Sequence, residues 1–187
     1  MFTKSPRFIA GLLLSSMLVF AQAFAFAPAP AGTQEGLLDF SLRSVDGGSI
    51  SSDMLRGDVV VLAFGASWLP LSRTQVQGVQ GLADEYKDRD LRVYWVSTDS
   101  VSPKSKNYAS DDQLREFARK NGLKVAVLRD PDGAVFKRTG ADQLPSVVII
   151  DRSGEVSVPV VGGLDPDNKR KLTDTLSPRL NKLLGGK

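Results

Sequence analysis

The run Val59-Val60-Val61-Leu62-Ala63-Phe64 is apolar throughout and does not alternate. A strand with one face in water alternates apolar with polar residues, so this run predicts a strand covered on both faces, as at the centre of an α/β sheet. Residues 91–96 predict a second such strand. Between the two, Val76, Val79, Ala83 and Tyr86 recur at helical spacing, and Gly78 and Gly81 weaken that helix without breaking it.

The alternation of strand and helix continues downstream. Residues 98–109 are polar, contain Pro103 and read as a loop. Ser110-x-x-Gln113 matches a capping box, with Leu114, Phe117 and Ala118 on one helical face and Asn121-Gly122 as the stop. Residues 125–128 predict a short strand and Asp130-Pro131-Asp132-Gly133 a turn. Residues 146–150 and 156–160 flank Asp151-Arg152-Ser153-Gly154, a hairpin turn whose glycine suits a positive φ. Pro159 cannot donate to a ladder, which places the second of these strands at a sheet edge. On the N-terminal side, residues 37–42 and the turn Asp46-Gly47-Gly48 suggest two short paired strands. In the tail, Asp165-Pro166 reads as an N-cap followed by proline at the first helical position. Leu172, Leu176, Leu180 and Leu183 then give an amphipathic helix that Pro178 should kink or split near Ser177. The expected architecture is one α/β domain whose sheet mixes parallel strands with an antiparallel edge hairpin.

The first 36 residues have a different character. Lys4 and Arg7 precede a mostly apolar stretch, residues 8–20, and small residues follow in A-x-A spacing at Ala21/Ala23, Ala23/Ala25 and Ala25/Ala27. This is the pattern of a signal peptide, expected over residues 1–27. The apolar stretch is about a dozen residues long where a bilayer requires roughly 20, so a retained anchor is the weaker reading and no permanent membrane span is expected after cleavage. Residues 28–36 read as a linker and 37–187 as the folded domain, periplasmic or otherwise exported. No cysteine follows the apolar stretch, which excludes a lipid-anchored lipoprotein.

Two absences restrict the chemistry. The chain has no cysteine and no histidine. Without a thiol it cannot perform thiol–disulfide exchange with its own side chains, and an exported fold without disulfides must stand on packing. Without histidine, a zinc site of the common kind and a Ser-His-Asp triad are excluded by count. No metal and no cofactor are expected. The formal charge is +3, from 24 Lys and Arg against 21 Asp and Glu, and Lys4 and Arg7 of the leader account for most of it. The remaining body has no broad basic field, so nucleic acid is not an expected partner.

The string Phe64-Gly65-Ala66-Ser67-Trp68-Leu69-Pro70-Leu71-Ser72-Arg73 resembles the active-site segment of periplasmic thioredoxin-like proteins of the TlpA/ResA type, within the redoxin and AhpC/TSA superfamily. That family typically reads Phe-Trp-Ala-x-Trp-Cys-x-Pro-Cys-Arg. Asp39-Phe40-Ser41-Leu42, Asp46-Gly47, Asp130, Leu144-Pro145, Ile150-Asp151 and Gly154 fall in family order, so the resemblance covers nearly all of residues 37–184. It implies a thioredoxin-like fold: a central mixed sheet flanked by helices, with an antiparallel edge hairpin and an N-terminal β extension. It also implies that Leu69 stands where the nucleophilic cysteine would be, Ser72 at the resolving cysteine and Gln75 at a glutamate carried by many members. Leucine offers no lone pair and glutamine does not titrate. Peroxiredoxin chemistry begins with a thiolate as well, so that branch of the superfamily fares no better.

The remaining features admit plain structural readings. Trp68 is either a packing residue over the helix start or a platform for a ligand. Ser72-Arg73-Thr74-Gln75 matches a capping box, which makes Ser72 a helix-start hydrogen-bonding residue rather than a nucleophile. From the resemblance, Pro145 is a cis-proline facing the motif, and Leu144 lines either the core or the cleft. Gly65 opens space beside the motif, and Asp99 with Asp111-Asp112 are solvated charges. The leading expectation is a redox-inactive thioredoxin-fold protein that binds a peptide or protein partner through Trp68, Leu69, Pro70, Leu71, Ser72, Gln75, Leu144 and Pro145, because exposed apolar surface commonly marks interaction. The rivals are a thiol oxidoreductase or peroxidase by family label, an enzyme using oxygen nucleophiles or a bound cofactor on the same scaffold, and a purely structural subunit.

Overall fold

The computed structural model describes residues 37–162 and 171–185. Strands β1 (Ser41–Ser44) and β2 (Ser49–Ser51) form the expected N-terminal hairpin, and a 3-10 turn, Ser52–Leu55, leads into β3 (Val59–Gly65). There follow α1 (Pro70–Glu85), β4 (Leu91–Ser97), α2 (Asp111–Lys120), β5 (Val127–Arg129), α3 (Ala134–Arg138), β6 (Ser146–Ile150), β7 (Val156–Gly162) and α4 (Leu172–Leu183). The strands make one sheet in the order β2-β1-β5-β4-β3-β6-β7. β3, β4 and β5 run parallel, while β6 is antiparallel to β3, β7 to β6, and β1 to β5.

β3 lies inside this sheet and is buried along its whole length. Its odd-numbered residues Val59, Val61 and Ala63 pack with Trp95, Val127, Val147 and Ile149 beneath α1, α2 and α4. Its even-numbered residues Val60, Leu62 and Phe64 pack with Val96, Leu128, Val148 and Ile150 beneath Phe40, Leu42, Leu55 and Val135. Apolar cover on both faces is the reason the run does not alternate. Each fully buried aliphatic side chain contributes about 1.5–3 kcal/mol, and two such layers hold a fold that has no disulfide.

Local signals place the element ends. Ser110 Oγ accepts from Gln113 N–H (3.2 Å) and Gln113 Oε1 accepts from Ser110 N–H (2.7 Å), completing the predicted capping box of α2. Gly154 closes the β6–β7 turn at φ 93°, and β7, which carries Pro159, is an edge strand.

Four elements differ from expectation. β1 begins at Ser41, four residues after the start of the 37–42 segment, and extends to Ser44. β5 begins at Val127, two residues later than the apolar run does. α3 was not predicted. It exists because the buried carboxylate of Asp130 accepts from the N–H groups of Val135 (3.1 Å) and Phe136 (2.8 Å), satisfying donors at a helix start. α4 runs through Pro178 without splitting, because Leu172, Leu176 and Leu180 are buried against the first core layer and that burial outweighs one missing hydrogen bond. The described part of this helix begins at Leu172, with Lys171 as N-cap; Asp165 and Pro166 lie outside the described residues.

Candidate functional site

β3 ends at Gly65, and the chain turns through residues 66–69 into α1, whose first helical residue is Pro70. Proline is suited to this position because its missing N–H would have no intrahelical partner. Leu69 is the N-cap. Its N–H donates to Ala66 O (3.1 Å) and its carbonyl accepts from Ser72 N–H (3.1 Å). Trp68 is 54% exposed, Pro70 is exposed, and Leu69 and Leu71 are half-buried. Phe64 pairs with Ser146 in the β3–β6 ladder, so Leu144 and Pro145 lie at the same end of the sheet as the motif turn. The Leu144-Pro145 bond is cis, Pro145 is buried, and Leu144 packs against the second core layer. The predicted site residues are therefore assembled at one end of β3 and β6.

Ser72 and Gln75 do not form a capping box. Because Pro70 begins the helix two residues before Ser72, both side chains project from the buried face of α1 and are fully buried. Ser72 Oγ accepts from Ala66 N–H (3.1 Å), which closes the motif turn onto the helix. The Gln75 amide joins three strands. Its Nε2 donates to Phe64 O on β3 (3.1 Å) and Ser146 O on β6 (2.8 Å), and its Oε1 accepts from Trp95 Nε1 on β4 (3.1 Å). Trp95, which carried no weight in the sequence reading, is fully buried and stacks on Phe117 with ring centroids 5.1 Å apart. A sequence signal for this cluster did exist. Ser72, Gln75, Val76 and Val79 fall on one helical face, and a buried indole N–H requires an acceptor.

Gly65 opens no space. A Cβ there would lie 2.7 Å from Gln75 Oε1, 2.9 Å from Ser72 Oγ and 3.0 Å from Trp95 Nε1, so the polar cluster fills the volume that a side chain would need.

Asp99 is likewise not a solvated charge. It is fully buried and accepts from Ser67 N–H (2.8 Å), Ser67 Oγ (2.9 Å) and Ser97 Oγ (2.8 Å). Thr98 N–H and Oγ1 both donate to Gly65 O, at 2.9 and 3.1 Å. The end of β4 thereby holds the motif turn from beneath, and a carboxylate with these donors needs no water. Asp111 accepts from Arg43 and Arg129, each at 2.7 Å, and Arg43 foremost holds its carboxyl down to about 2. Asp112 conforms to the sequence reading: it is exposed and paired with Arg115 (2.8 Å).

At the two positions that the resemblance gives to thiols there is thus an aliphatic side chain and a buried hydroxyl, and at the position of the acid there is an amide whose polar atoms are engaged. Among the described residues no group of three or more Asp or Glu is placed to hold a metal ion.

Comparison with known proteins bears on this geometry. The chain is 29% identical over 156 residues to the thioredoxin-like protein YneN of Bacillus subtilis (strain 168), covering 80% of this chain and 86% of that protein. It is 23% identical over 124 residues to the thiol-disulfide oxidoreductase ResA of Bacillus thuringiensis (strain Al Hakam), covering 66% of each. Its structure is similar to that of MTB DsbF in its mixed oxidized and reduced forms, with TM-score 0.61, 26% identity and coverage of 78% of this chain and 96% of the other. The AhpC/TSA family model matches residues 34–158. Because that match spans more than half of the chain and takes in the sheet as far as β7, the chain belongs to the AhpC/TSA family, with a thioredoxin-like fold.

Proposed function

We propose that this chain is a redox-inactive member of its family that acts as a peptide- or protein-binding accessory module in the periplasm, reached through a signal peptide over residues 1–27 and a linker over 28–36. The observation that carries the reading is the state of the motif itself. Leu69 and Ser72 replace the thiols, Ser72 Oγ is buried and engaged by Ala66 N–H, and the Gln75 amide is committed to Phe64, Ser146 and Trp95. Disulfide exchange and peroxide reduction of the peroxiredoxin kind both begin with a thiolate, and this chain has none. What remains at this end of the sheet is exposed Trp68 beside half-buried Leu69, Leu71 and Leu144, an apolar surface of the kind that meets partners.

Two measurements test the proposal. Purified protein should reduce insulin and consume hydroperoxide no faster than buffer, and turnover above buffer would overturn the redox-inactive reading. In pull-downs from periplasmic extract, Leu71→Asp should lose proteins that the wild type retains; the same proteins from both would remove the binding role.

A further inference from the structure

Residues 98–109 leave β4 and return to α2 as a loop tied down from beneath. Arg129, 4% exposed, donates from Nη2 to the carbonyl oxygens of Asp99 (3.1 Å) and Ala109 (2.9 Å), and more distantly to that of Ser100 (3.4 Å), while its Nη1 pairs with Asp111. Above this base the backbone closes on itself, with Ser100 N–H donating to Asn107 O (2.8 Å) and Ala109 N–H to Ser100 O (3.1 Å). Asp99, the loop's one acidic residue, turns its carboxylate inward onto Ser67 and Ser97.

The outer side has the opposite character. Val101 is 53% exposed, Tyr108 is 36% exposed, and Lys104 and Lys106 are exposed with no ion-pair partner among the described residues. The Asp99–Ser67 hydrogen bonds set this loop beside the turn that presents Trp68. The surface is apolar and aromatic with two unneutralised positive charges, and buried groups hold it in shape before any partner arrives. Complementary charge selects an acidic partner, and a preformed loop loses little freedom on binding. Two lysines fall short of the four to eight basic residues of a lipid-headgroup cluster, which favours a protein over an anionic membrane.

We infer that Lys104 and Lys106, between exposed Val101 and Tyr108 on the same loop, dock an acidic segment of a partner protein that also carries apolar side chains. This rests on the binding role proposed above and names the partner's chemistry. The test measures fluorescence anisotropy of the full chain with a labelled peptide of glutamate, proline and leucine, and with the same peptide carrying lysine for glutamate. The acidic peptide should bind, more weakly as salt rises, and the basic one should not. Lys104→Glu combined with Lys106→Glu should weaken binding roughly tenfold with no change in thermal midpoint, since neither side chain has a partner to lose. Equal binding of both peptides, no binding of the acidic one, or indifference to the lysine exchange would overturn the inference. So would lysine-dependent binding to phosphatidylglycerol vesicles without peptide binding. If Leu71→Asp abolishes capture of partners from extract while the lysine exchange changes nothing, the binding role stands and this loop is not its surface.

Discussion

A primary amide offers two N–H donors and an acceptor, and at Gln75 all are used, by Phe64 O, Ser146 O and Trp95 Nε1. A carboxylate in the same place would face two carbonyl oxygens with no hydrogen to give them. Gln75→Glu should therefore destabilise the fold by about 1–3 kcal/mol. Burial and the two carbonyls raise the glutamate's folded pKa above its unfolded value of about 4.3, so the variant should fare best below that pH and lose stability as pH rises through the folded pKa. Urea unfolding at about pH 4.5 and about pH 8 reads the difference; an equal penalty at both would mean the side chain swings out of the cluster. At the neighbouring positions, Leu69→Cys with Ser72→Cys should keep the fold, because Leu69 is only half-buried and its truncation falls at the low end of about 2–5 kcal/mol. With the residues at the N-cap and in the first turn of α1, the new thiols should pair, though turnover should be slow without an acid at position 75. Mass spectrometry under oxidising conditions checks the pairing. That these residues meet at one end of the sheet was legible from their order along the chain; the bonds they make there were not. Ser72-x-x-Gln75 has the letters of a capping box, but Pro70 starts the helix earlier and turns both side chains inward. Asp99 bonds to Ser67, 32 residues away, and nothing adjacent in sequence marks a loop carboxylate as buried.

Among the elements, α1 contains two glycines with opposite reasons for being there. At Gly78 a Cβ would lie 2.8 Å from the Cβ of Leu172, so α1 and α4 approach each other through the missing side chain, whereas at Gly81 nothing lies within 4 Å. Gly81→Ala should raise stability by up to about 1 kcal/mol through helix propensity alone. Gly78→Ala should lower it despite the same propensity gain, and a rise in thermal midpoint for both would refute the close approach. The helix was legible because periodicity survives a glycine, but its contact with Leu172, 94 positions on, was not. α2 offers a test by pH. Asp111 is held at about 2, below the unfolded value of about 3.9, so its contribution is complete above about pH 4 and is lost as pH falls towards 2. Asp111→Asn should flatten the stability profile across that window and lower stability near neutrality by about 1–3 kcal/mol, since Arg129 beneath it is buried. A profile parallel to that of the wild type would contradict the assignment.

For the whole molecule, the doubly covered β3 and the edge placement of β7 were legible because burial on two faces and the missing proline donor both leave marks in the sequence. α3 left none, since its start is set by the side chain of Asp130 rather than by periodicity. The domain limits call for measurement. N-terminal sequencing of the exported form should find a start between residues 24 and 28, and intact Met1 in the membrane fraction would mean an anchor.

The packing at Gly65 has a consequence for descent and for engineering. A tryptophan, the residue often carried at this position in the resembling family, cannot enter while Gln75, Ser72 and Trp95 occupy the volume where its Cβ would be. Substitutions here are epistatic, and their order decides which intermediates fold. A lineage or a designer moving towards a bulkier residue at position 65 must loosen position 75 first. Laboratory evolution started from this chain should therefore accumulate changes at Gln75 first, with Gly65 changing only in clones that already carry one.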